Sequence, residues 1–145
     1  MSEQIYVGAD HAGFDLKQKL VAELKKLGYE PIDVGPKTLD PSDDYPDYAK
    51  PVAEAVSQGN VQRGVLTCGT GLGMAYAANR YPKVRAAVAW SPEIAELAKT
   101  HNDANVLVLP SRFVSEQEGL EILRRWLAAK FEGGRHQRRV EKIEK

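Results

Sequence analysis

Short apolar runs alternate with amphipathic stretches along the chain. Ile5-Tyr6-Val7-Gly8-Ala9 is the first run and reads as a buried strand. Leu16, Leu20, Leu24 and Leu27 then fall on one helical face, with Lys17, Lys19, Glu23, Lys25 and Lys26 mostly elsewhere. Gly28 reads as the C-cap of that helix. Residues 30–34 are expected to form a second strand. The Asp- and Pro-rich stretch from Pro36 to Pro46 is expected to be a loop. A helix over 47–58 ends near Gly59-Asn60. Gly64-Val65-Leu66-Thr67 is a third strand, running into Cys68-Gly69-Thr70-Gly71-Leu72-Gly73 and a helix to about Asn79. A fourth strand is predicted from Val84 to Trp90. Ser91-Pro92-Glu93 combines a capping Ser, a Pro at the first helical position and an early carboxylate, so a helix starts there. Asn105 to Leu109 is the fifth strand. Ser115-Glu116-Gln117-Glu118 fits a capping box and opens a helix to about Phe131. Gly133-Gly134 breaks it, and a polar tail follows.

Strand and helix alternate about five times, with connections too short for a second domain. The pattern predicts one α/β domain over residues 1–145, with a parallel sheet and helices on both faces. Ligands of such sheets bind outside the C-terminal strand ends, where the strand order reverses. Attention therefore falls on Asp10-His11 after the first strand and Cys68-Gly69-Thr70-Gly71 after the third.

Composition narrows the partners. The chain has 145 residues, with 20 Lys+Arg against 20 Asp+Glu. A basic excess suited to nucleic acid or a membrane surface is lacking. Its 43% hydrophobic content excludes a disordered chain. One Cys cannot form an internal disulfide, which points to a reducing compartment. No apolar run is long enough for a membrane helix, and Met1-Ser2-Glu3-Gln4 does not open a signal peptide. A cytoplasmic protein is expected.

Each chemically useful residue also has an ordinary structural explanation. A free Cys is usually a small apolar filler. Cys68, however, precedes a glycine-rich turn whose backbone N–H groups would stabilise a thiolate, and so suits a base or nucleophile. Gly69-Thr70-Gly71-Leu72-Gly73 is either a tight turn or an anion cradle. Met74 stands where a dinucleotide fingerprint needs Gly and where a cysteine-phosphatase loop needs Arg, so both are excluded. Asp10-His11 fits a helix cap and its solvated neighbour as well as a site. His101-Asn102-Asp103 ends a helix, which favours an imidazolium there. The three histidines lie far apart and lack His-x-x-x-His spacing, so no metal site is expected. The carboxylates of Asp40-Pro41-Ser42-Asp43-Asp44-Tyr45-Pro46-Asp47 are expected in solvent; Tyr45 alone is directed to a site. Arg135-His136-Gln137-Arg138-Arg139 reads as a basic end. If helical, it puts Arg135 and Arg139 on one face, suited to phosphate.

Together these stretches resemble the ribose-5-phosphate isomerase B family, which includes the galactose-6-phosphate isomerase subunits. The resemblance rests on Gly8-Ala9-Asp10-His11-Ala12-Gly13-Phe14, Asp44-Tyr45-Pro46-Asp47-Tyr48-Ala49, Cys68-Gly69-Thr70-Gly71-Leu72-Gly73-Met74, Ala77-Ala78-Asn79, His101-Asn102-Asp103-Ala104-Asn105-Val106-Leu107 and Phe131-Glu132-Gly133-Gly134-Arg135-His136-Gln137-Arg138-Arg139-Val140. It implies a three-layer Rossmann-like domain with a five-stranded parallel sheet. It also implies a homodimer or homotetramer that interconverts aldose and ketose phosphates without cofactor or metal. One family branch uses a Cys base and the other a Glu in the glycine loop. Cys68 is present and Met74 occupies the Glu position, so the chain resembles the Cys branch.

The resemblance further implies roles. Cys68 shuttles the proton between carbons 2 and 1 through a cis-enediolate. His101 opens the furanose ring, with Thr70 or Asp10 assisting. Backbone N–H groups from Gly69 to Gly73, including Gly71 and Leu72, hold the oxyanion together with Asn102. Asp10 and Tyr45 bind sugar hydroxyls. His11 and Arg139 hold phosphate, supported by Arg112 and Arg135. Arg135 and Arg139 come from the partner subunit, on a C-terminal arm of about 132–145. Ribose 5-phosphate is the expected substrate. A hexose 6-phosphate (allose or galactose) and a non-catalytic sugar-phosphate sensor are the alternatives.

Overall fold

The structure, a computed structural model, describes residues 2–144; Met1 and Lys145, the outermost residues of the expected domain and arm, lie outside the described residues. Five strands form one parallel sheet: β1 (Gln4–Ala9), β2 (Glu30–Asp33), β3 (Arg63–Cys68), β4 (Ala86–Val88) and β5 (Val106–Pro110). Their order is β2-β1-β3-β5-β4. The chain moves outward from β1 to β2, then returns past β1 to β3. The order therefore reverses between β1 and β3, and a crevice opens at their C-terminal ends.

Alternation along the central strands builds a core on each face. Val106 and Val108 of β5 and Leu66 of β3 pack with α2 (Pro46–Ser57) and α3 (Leu72–Ala78). Leu107, Leu109 and Val65 point the other way. There Leu20 and Leu24 of α1 (Phe14–Lys26), Ala95 of α4 (Pro92–Asn102), and Ile122, Leu123 and Trp126 of α5 (Glu116–Ala128) cover the sheet. The expected three layers are present. Ser91 and Ser115 cap α4 and α5 through their side chains, the latter in a full capping box.

Three segments differ from the sequence expectation. The fourth strand shrinks from Val84–Trp90 to Ala86–Val88 because it is an edge strand whose first donors are taken by side chains. Arg85 N–H donates to Asn105 Oδ1 at 2.8 Å, and Ala86 N–H to Asn79 Oδ1 at 2.8 Å. The fifth helix ends at Ala128, before Phe131, since the chain turns extended at Ala129 and Glu132 N–H donates to Thr100 O at 3.0 Å. The tail is ordered as α6 (Arg135–Ile143), whose buried His136 and Val140 face inward and whose chain packs on α4.

One half-buried ion pair bears on the site. Lys17 of α1 is fully buried and its Nζ donates to both oxygens of Asp33, at 2.9 and 2.8 Å, and to Pro36 O at 2.7 Å. A buried ammonium is tolerated only with such partners. The pair ties down the start of the loop that carries Asp43 and Tyr45.

Candidate active site

The crevice between β1 and β3 holds a cleft of about 290 Å³. Asp10, His11, Ala12, Tyr45, Cys68, Gly69, Thr70, Gly73 and Arg112 line it. Four connections, those that follow β1, β2, β3 and β5, meet here because parallel strands all deliver their C-termini to one edge.

Asp10 follows β1 and is nearly buried. Its Oδ1 accepts from Gly13 N–H at 3.1 Å and caps a short 3₁₀ turn at His11–Gly13. Asp10 thus has the capping role and also faces the cleft. Cys68 ends β3, 5% exposed. Its Sγ accepts from Gly71 N–H at 3.2 Å. Gly71 has φ of 78°, a conformation that suits Gly, and this turns the backbone N–H back onto sulfur. Thr70 Oγ1 accepts from Leu72 N–H at 3.2 Å.

The segment after β5 is stitched to this loop. Ser111 N–H donates to Cys68 O at 2.9 Å, and Arg112 N–H to Gly69 O at 3.0 Å. Ser111 Oγ reaches Ala12 O at 2.8 Å, joining the β1 and β5 connections. The Arg112 side chain lies across Gly69, where an added Cβ would stand 3.0 Å from Nη1. Tyr45 lies against Gly73 still more closely: a Cβ there would stand 2.6 Å from Cζ. A side chain at either glycine would press on the group that lines the cleft, Arg112 or Tyr45.

Asp43 was expected in solvent with its neighbours. Instead its side chain is 4% exposed and its Oδ1 sits 2.8 Å from His11 Nδ1. The sequence offered no signal that separated Asp43 from Asp40 and Asp44. Asp40 does bond locally, to Ser42, and that bond holds its carboxyl below the usual value.

Of the remaining expected residues, Gly71 and Leu72 lie in the loop without lining the cleft, while His101, Asn102, Arg135 and Arg139 are elsewhere. Topology gives the reason. α4 runs back from the C-terminal edge of the sheet to the start of β5, so its last turn, with His101 and Asn102, lies at the opposite edge. Eleven helical residues span roughly 16 Å. Asn102 there lines a wider concavity of about 570 Å³ with Arg80, Lys83 and Arg85. His101 stacks on buried His136 of α6, ring centroids 4.3 Å apart and 12° from parallel. Both Nε2 atoms face Glu132 Oε1, at 3.9 and 3.6 Å. Burial, with Arg135 and His101 nearby, pushes the His136 imidazole below its usual value. Two of the histidines separated in sequence are thus neighbours in space, so sequence separation gave no ground for excluding metal ligation.

A family model described as Ribose/Galactose Isomerase matches residues 5–143. The chain belongs to the ribose/galactose isomerase family. Within that family it is 47% identical to ribose-5-phosphate isomerase B of Escherichia coli (strain K12) over 141 residues, 97% of this chain and 94% of the relative. The structure of ribose-5-phosphate isomerase B from Mycoplasma genitalium with bound ribulose-5-phosphate superposes with a TM-score of 0.96, at 45% identity, covering 99% of this chain and 95% of that one. That of the Thermotoga maritima ribose 5-phosphate isomerase gives 0.95 at 44% identity, covering 99% of each. Among the described residues, no helix is long and apolar enough to cross a membrane.

Proposed function

We propose that this protein is an aldose–ketose isomerase that interconverts ribose 5-phosphate and ribulose 5-phosphate in the cytoplasm. The observation that carries the reading is the Cys68 thiol facing an amide-rich cleft at the β1/β3 crevice, with a backbone N–H already directed at sulfur. A relative with 45% identity was crystallised with bound ribulose-5-phosphate, which supports the pentose substrate.

Cys68 as thiolate takes the proton from carbon 2 of the open-chain aldose and returns it to carbon 1. The hydroxyl proton passes from oxygen 2 to oxygen 1, so the isomerisation balances without an external reagent. The negative oxygen of the cis-enediolate is held by backbone N–H groups of the Gly69–Gly73 loop other than those of Gly71 and Leu72, which donate to Cys68 Sγ and Thr70 Oγ1. Asp10 and Tyr45 bind sugar hydroxyls, and His11 with Arg112 binds phosphate.

Ring opening needs an acid–base group near the anomeric oxygen, a role given to His101, with Thr70 or Asp10 assisting. His101 lies at the other edge of its own sheet, so it serves the cleft of a second copy. A two-fold axis perpendicular to the strands sets the top edge of one sheet against the bottom edge of the other, twice. The arm from about residue 132 then brings Arg135 and Arg139 to the partner's phosphate site, and the end of α4 brings Asn102 to its oxyanion. Leu72 and Tyr76, exposed on one face of α3 beside the cleft, support such a contact.

The test is turnover of ribose 5-phosphate by purified protein without added metal, alongside Cys68→Ala, with allose 6-phosphate and galactose 6-phosphate in parallel. Pentose turnover that collapses in the variant is expected. Turnover of a hexose phosphate alone would move the protein to the neighbouring activity. Binding without turnover of any of them would make it a sensor.

A further inference from the structure

Behind the cleft stands a carboxylate that the mechanism above does not use. Asp43 Oδ1 faces two donor positions on one residue: the His11 backbone N–H at 3.1 Å and the ring Nδ1 at 2.8 Å. Its Oδ2 is buried with no hydrogen-bond partner among the described residues. Leaving a carboxylate oxygen unpaired costs free energy, which argues that the group is retained for what its charge does. His11 lines the cleft and Asp43 does not, so the carboxylate reaches the ring from the side away from the ligand.

We propose that Asp43 is the positioning residue for His11. It fixes the ring orientation and the Nδ1–H tautomer, and it supplies the counter-charge for an imidazolium when phosphate is bound. An ionised carboxylate only accepts, so Nδ1 must donate to it and Nε2 is left for the ligand. A neutral ring in that tautomer would turn the Nε2 lone pair toward a phosphate oxygen. With a proton taken from solvent, Nε2 donates instead, and the positive ring lies between two anions. The other charged groups around the ring are Asp10 beside it, Asp40 in the loop and Arg112 from the segment after β5. Of these, Asp43 is the one hydrogen-bonded to the ring. The same carboxylate also holds the His11 backbone, so ring and main chain are fixed by one group.

This inference rests on the assignment of the cleft to a sugar phosphate, and its test separates the two. Wild type, Asp43→Asn and Asp43→Ala are compared for ribose 5-phosphate turnover. Asn keeps an oxygen for both donors but removes the charge; Ala removes both. KM is expected to rise about tenfold in Ala and several-fold in Asn, with kcat changed less than about twofold. Independently of turnover, ¹⁵N NMR of the His11 ring, assigned through His11→Asn, is expected to show the Nδ1–H tautomer in wild type and a shift toward Nε2–H in Asp43→Ala. Wild-type turnover with KM unchanged in both variants, or an unchanged tautomer in Asp43→Ala, overturns the role of Asp43. Absence of wild-type turnover overturns the isomerase reading, while the NMR comparison still judges Asp43.

Discussion

The two edges of the sheet are built from the same sequence patterns and hold different halves of the residues proposed for the chemistry. The C-terminal edge collects strand ends: Asp10, Cys68 and Arg112 come from three connections and meet in one cleft. The N-terminal edge collects helix ends: His101 and Asn102 finish α4, and α6 folds against them. Strand-end residues converge within a chain because every parallel strand points the same way. Helix-end residues converge too, but at the far edge. The proposed catalytic set, drawn from both edges, therefore cannot assemble in one copy of this fold, which favours a site shared between two copies.

The largest effect tests the first edge. Cys68→Ala is expected to lower kcat about 10²- to 10⁴-fold, the range for loss of a positioned acid–base group. Its stability should change little, because a small buried side chain is replaced by another of similar size. A variant with substantial remaining turnover would move the base elsewhere on that edge.

Joining the edges is tested by complementation. Chains carrying Cys68→Ala and chains carrying His101→Asn are each expected to be inactive. Co-expressed at equal levels, half of the dimers would be mixed, and each mixed dimer would hold one intact site of two. Activity should then recover to about a quarter of wild type, by the counting a two-fold dimer imposes. No recovery would place both groups in one chain's site.

A smaller effect sharpens the geometry of the first edge. Gly73→Ala sets a Cβ 2.6 Å from the Tyr45 ring, closer than atoms can approach. Either the loop strains, costing about 1–3 kcal/mol, or the ring swings out of the cleft. Tyr45 is 38% exposed and has room to move, so the second outcome is expected. Thermal melting should then change little while KM rises. A large drop in melting temperature with KM unchanged would mean that Tyr45 is held for stability alone.

The strand-end half was legible in the sequence for a simple reason. Apolar runs mark β1, β3 and β5, and in a parallel sheet whatever follows such a run lies near the ligand edge. Asp10, Cys68 and Arg112 could be placed that way. The same rule, applied to His101 at the end of a helix, assigns it to the opposite edge, so its separation from Cys68 was also readable. Asp43 was not. Its burial depends on Lys17 and Asp33 tying down the loop and on His11 meeting it across 32 positions of chain. Local composition makes the whole loop look solvated. α6 was hidden for a similar reason: Arg135 to Arg139 is too polar to announce a buried face, and His136 and Val140 become buried only by docking.

The smallest effect separates the two edges by acidity. His136 is 6% exposed, and its value is lowered by burial first, then by Arg135 and His101, with Arg139 adding and Glu132 opposing. A histidine lowered in the folded state binds a proton more readily when unfolded. Stability is therefore fully present above the ordinary value near 6.5 and declines as pH falls below it, until the folded value is passed. The loss should concentrate where His136 holds α6 against α4. Hydrogen exchange at pH 7.5 and 5.5 is expected to show faster opening of α6 at the lower pH, with β1 and β3 little changed. His136→Asn should remove the difference between the two pH values while leaving α6 less protected at both. If α6 protection is the same at both pH values in wild type, the imidazole is not what fastens this edge, and the C-terminal arm is held by its apolar contacts and the Arg85–Glu144 ion pair instead.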